Sequence, residues 1–426
     1  MATVTVDQAE LVLNTFAAIF QNNLLSKDLV TWNKFSGEMN DRNALTVVEQ
    51  VVPDYTTTFT TNGVADLTAG VQDTTFGSEQ YKIDQTINSS MGWGDFVKIR
   101  DLDSARESEA LKAAALRLAT DIDSYIIGYA AKVSNNLMGD GSTDVSTWEH
   151  LARGFTRLKA EGVDDADVVA VLDYADWQAL GAAVLNDNAS LTDVGEGVYR
   201  NGFSGKVAGI NTRFTQQLPS FTVGTRLATS ALTAGTADSA TTYASVCISA
   251  APGQFMSQIL NMDIGAGTET IKDGEVFTIT GVYAYDNRAK KALPHLQQFR
   301  VIGDWTAAGG LVAPRVFPAI ITSGPFQTVA QAAGNTAAVN FVGAASAVLK
   351  PRFLASKQSV VVNTADLIMP ATGQGSRKSL TKVPMSVRMW KHSDFNTGAH
   401  SIRFDVALKA NTLAGGRRRS VRINGG

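Results

Sequence analysis

The sequence predicts an α+β protein built around one long helix and carrying a β-rich insertion. Three observations carry this. Residues 106–133, RESEALKAAALRLATDIDSYIIGYAAKV, place Leu111, Leu118, Ile122, Tyr125, Tyr129 and Val133 at spacings of three, four and seven, with Ala114 and Ala115 beside them. That is one continuous apolar stripe along roughly 40 Å of helix. Residues 146–180 read as helix, buried strand and helix, a unit that packs on a central sheet. Beyond a nearly uncharged stretch, ATSALTAGTADSATT, short apolar strands recur between Tyr243 and Ile302, divided by the turn pairs Asp273-Gly274 and Asp286-Asn287.

Taken in order, residues 7–25 form an amphipathic helix with Val12, Phe16, Ile19 and Phe20 on one side, and Leu45–Val52 a strand stopped by Pro53. Residues 54–95 are polar and rich in Thr and Gly. They contain one alternating strand, Tyr81–Asp84, and too little apolar side chain for a core of their own. A long hairpin reaching away from the body is expected there. The long helix opens on a capping box, Ser104 with Glu107, and a second box, Ser146 with Glu149, opens the next helix. That helix carries Trp148, Leu151, Phe155 and Leu158 and ends at Gly162. Strand 167–172 follows, and Asp173 or Asp176 caps the helix bearing Trp177 and Leu180. Strands are expected at 243–249, 275–280, 282–285 and 298–302, a helix over 327–349, then strands at 359–362, 385–389 and 401–408.

Composition narrows the function. A chain of 426 residues exceeds one ordinary core, and a net charge of −3 lacks the basic footprint of a dedicated nucleic-acid binder. Charged residues are only 18%, below the usual quarter, a balance found both in large chains that bury much of their surface in partners and in loop-rich secreted proteins. Cys247 is the single cysteine, so no disulfide closes within the chain. The start, MATVTVDQAEL, has no signal-peptide pattern, and no stretch reaches about 18 consecutive apolar residues. A soluble, cytosol-made protein without membrane contact is expected.

Chemistry is sparse. Gly202–Lys206 lacks the spacing and following hydroxyl of a phosphate loop. His150, His295, His392 and His400 are dispersed without metal-ligand spacing, and Cys247 reads as a buried thiol. Asp101/Asp103, Asp121/Asp123 and Asp164/Asp165 are acidic pairs able to meet a hard cation. Asp140-Gly-Ser-Thr-Asp144 resembles a short calcium turn but lacks the full loop, so a solvated turn is the better reading. The run Arg417-Arg418-Arg419 with Arg422 reads either as a phosphate contact or as an alternating final strand. No catalytic, cofactor-binding or metal residue is assigned and no cofactor is expected.

Four stretches, in order, carry a resemblance: VKIRDLDSARESEALKAAALRLATDIDSYIIGYAAKV, VVAVLDYADWQALG, EGVYRNGFSGKVAGINTRFTQQLPSFTVGT and HSDFNTGAHSIRFDVALKANTLAGGRRRSVRI. The chain resembles the major capsid (coat) proteins of tailed double-stranded-DNA bacteriophages, in the branch of short-tailed Salmonella phages whose coat carries an inserted β-barrel. The resemblance implies the tailed-phage (Hong Kong 97-type) capsid fold. It would divide the chain into an N-arm at 1–52, an extended E-loop at 53–97, a P-domain with the spine helix at 98–145 and a first A-domain part at 146–222. An inserted β-domain at 223–324 and a second A/P-domain part with the closing strands at 325–426 would complete it. It implies an icosahedral shell of hexamers and pentamers enclosing dsDNA with weak, non-specific contact. The shell would be assembled in the host bacterial cytoplasm with scaffolding protein and portal, then carried in the virion. An encapsulin-type bacterial compartment is the rival that shares the fold, and a secreted β-rich surface protein the rival from another class. Two departures stand out. Where the family's insertion has a charged loop, Asp238 is the only charge between Arg226 and Asp263. Lys82 is the only lysine at 53–97, and no partner asparagine or catalytic acid marks a covalent crosslink, so none is expected.

Overall fold

A computed structural model describes residues 8–39, 45–51, 76–92, 102–163, 168–187, 206–207, 210–233, 254–286, 289–324, 326–369, 374–393, 400–412 and 419–425. The expected strand at 243–249, Cys247, Asp101, Asp164, Asp165, Asp238, Arg417 and Arg418 lie outside the described residues. The chain forms two compact units, 1–47 with 81–129 and 357–412, and 48–80 with 130–356 and 413–426.

The first unit is a sheet with helices on its apolar face. Strands run in the order Thr31–Met39, Val361–Leu367, His400–Asn411, Ser386–Ser393, Gln374–Ser379, and Thr86–Gly92 pairs with residues 401–407 of the third. Only the first pair is parallel. Ile402, Phe404, Val406 and Leu408 alternate along the longest strand and are fully buried, as a strand with one covered face requires. Helix α1, Gln8–Asn23, covers part of that face, with the Phe16 ring stacked on Phe404 at 3.8 Å between centroids. Val12, Phe16 and Phe20 are buried as the periodicity predicts, whereas Ile19 is half-buried. Strand 31–39 escapes a reading by alternation because its register shifts between Phe35 and Glu38, around Gly37. Strand 86–92 lies within the stretch expected to reach away. Its Ile87, Ser89 and Met91 stand opposite Val406, Phe404 and Ile402, so it is part of the sheet.

The long helix is present but starts differently. Helix α2, Leu102–Glu107, stops at Ser108, and α3 runs Glu109–Val133, about 37 Å. The expected cap at Ser104 is corrected: Ser104 lies inside α2, and the Ser108 hydroxyl accepts the Leu111 N–H at 3.4 Å. The stripe holds at Leu111, Ala114, Ala115, Leu118 and Ile122, all buried. Farther along, Ile126 and Ile127 take the core positions and Tyr125 and Tyr129 sit half-buried at its margin.

The second unit holds a sheet ordered Asn136–Met138, Ser420–Ile423, Arg352–Ser356, Val168–Leu172, Ile210–Phe214, Lys206–Val207. Val168–Leu172 is buried at every residue. Helix α4, Trp148–Ala160, contributes Leu151 and Leu158 to a core shared with Val168, Ala170, Leu354, Val421 and Ile423. Gly154 lets it come close, since a Cβ there would overlap Ile423 and Leu354. Gly162, at φ +80, ends α4 with Gly162 N–H bonded to Lys159 O and Val163 N–H to Leu158 O. The Ser146–Glu149 box does not form: Thr147 is the capping residue, without a side-chain bond, and Glu149 instead accepts Arg153 one turn on. Helix α5, Tyr174–Asp187, buries Leu180 and leaves Trp177 exposed.

The same unit carries a second, eight-stranded sheet in the order Gln258–Ile259, Arg315–Phe317, Lys291–Ile302, Val276–Asp286, Ala338–Phe341, Thr229–Leu232, Met262–Asp263, Leu311–Val312. Strands near its two ends are chain neighbours, and Leu260 N–H bonds Pro314 O at 3.1 Å between them, so the sheet rolls into a closed barrel. Its interior is filled by Phe277, Ile279, Val282, Phe299 and Val301, with Phe341, Val339 and others. The two strands expected at 275–280 and 282–285 are one, with a register shift around Gly281, whose φ is +84. The helix expected over 327–349 is a correction. That stretch gives strands Ala338–Phe341 and Val348–Leu349, and positive φ at Thr336, Gly343 and Ser346 breaks helical continuity.

Candidate assembly surfaces and their ionic supports

The residues singled out for chemistry do not converge. Among the described residues no three His, Cys, Asp or Glu side chains stand close enough to hold a metal ion, and no helix is long and apolar enough to cross a membrane. Asp140 closes its own turn, accepting the N–H groups of Ser142 and Thr143 at 2.9 and 2.8 Å. Asp144 leaves that turn to pair with Arg352. His295 is half-buried, and burial together with the Arg157 charge lowers its pKa to about 4. His150 lies on α4 and His392 at an exposed strand position, each apart from the others.

What the structure does bring together is a set of buried ion pairs beneath exposed faces. In the first unit Asp405, buried, forms ion pairs with Arg388 and Arg403 at 2.7 Å each. The same two guanidinium groups flank the Trp390 ring at 5.3 and 5.4 Å. Cross-strand register puts all four on the face opposite Phe404, where like charges on neighbouring strands would otherwise repel.

On α3, Asp123 falls on the buried stripe and accepts the N–H groups of Leu25 and Ser26, at 2.8 Å each. It thereby caps the turn that leads from α1 to the first strand. Desolvation raises its pKa above the ordinary 3.8, against the opposing pull of those bonds. A raised carboxyl binds its proton more tightly in the folded state. Its contribution is therefore fully present below about pH 4 and lost as pH rises through the raised value. Asp123→Asn removes that slope, so urea unfolding between pH 4 and 7 should show wild-type stability falling relative to the variant. Parallel curves would contradict the assignment.

In the second unit, Arg352 donates to Asp176 at 2.8 Å, and Asp176 also accepts the N–H groups of Val145 and Asp173, each at 2.9 Å. One carboxylate thus ties the segment leading to α4, the start of α5 and a central strand. Trp148, Tyr174 and Trp177, on the first turns of those helices, are 56%, 52% and 40% exposed.

The strongest cluster sits where the chain enters and leaves the barrel. Arg226 and Glu275 are both fully buried and paired at 2.6 Å. Arg226 also donates to Val342 O and Gly343 O, at 2.9 and 3.0 Å, and lies over the Phe341 ring. Glu275 accepts the N–H groups of Gly224 and Lys272 at 2.7 Å each. Burial pushes the Arg226 pKa down while Glu275 pushes it up. Arg422 supports the turn beside this clamp, donating to Gly274 O at 2.7 Å, Lys132 O at 2.6 Å and Ser134 O at 2.8 Å. Of the two readings of the basic run, Arg422 takes neither fully: it lies in a strand but is buried and spent on carbonyls. Its alternation between Val421 and Ile423 was the available signal. For Arg226, the signal was a lone charge bordering an uncharged stretch.

The P22 coat protein family, described as "P22 coat protein - gene protein 5", matches residues 1–415, and the chain belongs to it. No curated protein matches. Solved structures similar to it include one titled Mycobacterium phage Che8, at 10% identity, TM-score 0.40, covering 90% of this chain and 85% of that one. The capsid of cyanophage P-SCSP1u is 12% identical at TM-score 0.40, covering 95% and 88%, and that of Ralstonia phage GP4 is 8% identical at 0.40, covering 96% and 91%. The family match carries the assignment. The protein is a structural major capsid protein with the tailed-phage (Hong Kong 97-type) fold, it forms the phage shell, and its place is the virion.

Proposed function

We propose that many copies of this chain close into an icosahedral shell of pentamers and hexamers around packaged double-stranded DNA. Assembly takes place in the host bacterial cytoplasm on a scaffolding protein and around a portal. The protein does no catalysis, and its contact with DNA is weak and non-specific, as a net charge of −3 favours. Residues 1–52 act as an N-arm, 53–97 as an E-loop rooted in the sheet by its strand 86–92 and gaining further order from a neighbour, and 223–324 as an inserted domain with its own core, to which strand 338–341, beyond the expected boundary, also belongs. Membership of the coat-protein family is the observation that carries this reading. Sedimentation of the purified chain, alone and with a scaffolding partner, tests it. Particles of uniform size are expected, and a chain that stays monomeric at high concentration in both conditions overturns it.

A further inference from the structure

We infer that an apolar hollow on the flank of helix α4 receives the Trp177 ring of a second copy of this chain. The inference rests on the reading of rings of copies within a shell, and it names a contact that closes them. Glu149, Ala152, Thr156 and Ala160 recur at spacings of three and four, so they share one face of α4. That face, Met138 of the edge strand and His295 line a hollow of about 380 Å³. Pockets for small ring compounds span about 300–1,000 Å³. The short side chains of Ala152, Thr156 and Ala160 are what leaves the space.

The wall selects an uncharged occupant with one donor. Arg153, also in the wall, is already bound to Glu149 at 2.7 Å. The Nε2 atom of His295 is buried and has no partner among the described residues. Burial and the Arg157 charge keep that ring neutral above about pH 4, so Nε2 can serve as an acceptor. An indole N–H is a donor only, and a buried indole usually finds an acceptor.

The matching group stands on the same unit. Tyr174 and Trp177, about one turn apart at the start of α5, are both exposed large aromatics. Helix α5 shares the core of strands 168–172 and 210–214 through Leu180, whereas the hollow borders strand 136–138 at the edge of that sheet. Three strand spacings, about 14 Å, separate 136–138 from 168–172, so the ring and the hollow of one copy lie on different flanks. A projecting group on one flank and its socket on another make a heterologous contact, which repeats head to tail and closes into a ring. Charge favours a second copy as the partner. Helix α4 carries Arg153, Arg157 and Lys159 against Glu149, while α5 has no basic residue and begins beside Asp173, so the two surfaces approach with opposite sign.

Full-length Trp177→Ala, which removes the ring, and Ala152→Trp, which fills the hollow from within, should each melt as wild type. Each should raise the concentration needed for assembly about tenfold, as loss of a buried aromatic anchor does. Independently, a Tyr174→Cys/Arg153→Cys variant treated with a short bismaleimide during assembly should give a ladder of covalent oligomers ending at pentamers and hexamers. The two single variants, which keep Cys247, should give no ladder. Normal assembly by Trp177→Ala or by Ala152→Trp, a crosslinked product that stops at dimers, or no crosslinked product would each overturn the inference. Wild type run in parallel separates the two claims: if it forms no particles, the shell reading itself falls.

Discussion

Glu275→Ala should lower the stability of the second unit by about 3–5 kcal/mol, the largest effect expected of any single ionic side chain here. The reason lies in what is left behind. Arg226 is fully buried, and without Glu275 its charge has only the carbonyls of Val342 and Gly343 for company. The N–H groups of Gly224 and Lys272 lose their acceptor at the same time. Unpaired buried donors each cost about 1–3 kcal/mol. Because these groups belong to the segments entering and leaving the barrel, the loss should loosen the barrel's attachment before its interior. Urea unfolding followed by barrel and sheet probes measures this. An Arg226→Met/Glu275→Leu double variant, which removes both charges, should recover a large part of the loss. A Glu275→Ala subunit as stable as wild type would contradict the clamp.

Leu118→Asp should unfold the first unit and abolish assembly. Leu118 is 1% exposed in mid-α3, with Ala115 and Ile122, both buried, one turn away on either side. An aspartate there either ionises among apolar groups or stays neutral without a partner. Either costs several kcal/mol, a large share of a domain's net stability. Arg419→Ala serves as the control: it is half-buried outside the cores, and a contact of that kind contributes about 0–1 kcal/mol. Thermal melts of both variants decide. A natively melting Leu118→Asp subunit would mean that the buried face of α3 is misplaced.

Elements that declare themselves by periodicity were legible in the sequence. The α3 stripe at Leu111, Leu118 and Ile122, the fully buried strand 168–172 and the barrel core at Phe277, Ile279, Phe299 and Val301 all follow from local pattern alone. Apart from the helix start, which is settled locally, the misses share a cause, which is that the deciding partner is far away in sequence. Ser104 and Ser108 are equally good capping residues by type, and only the break between α2 and α3 chooses between them. The Ala- and Val-rich stretch 327–349 has helical composition, yet strand pairing of Val339 with Ile279 and Ser230 overrides it. Tyr125 and Ile126 differ by one position on the helix, and the Tyr125 hydroxyl turns to the Ala410 N–H at the edge of the stripe while burial pushes its pKa up to about 12. The ionic supports were the least legible. Arg226 finds Glu275 across 49 residues and Arg352 finds Asp176 across 176, distances over which no local pattern speaks.

Electron cryomicroscopy of the expressed full-length chain tests the central claim most directly, that this protein is the wall of an icosahedral phage shell. The account predicts closed particles in which the same chain occupies both five-fold and six-fold capsomers. Fields containing only monomers, or open aggregates without five-fold vertices, would contradict it.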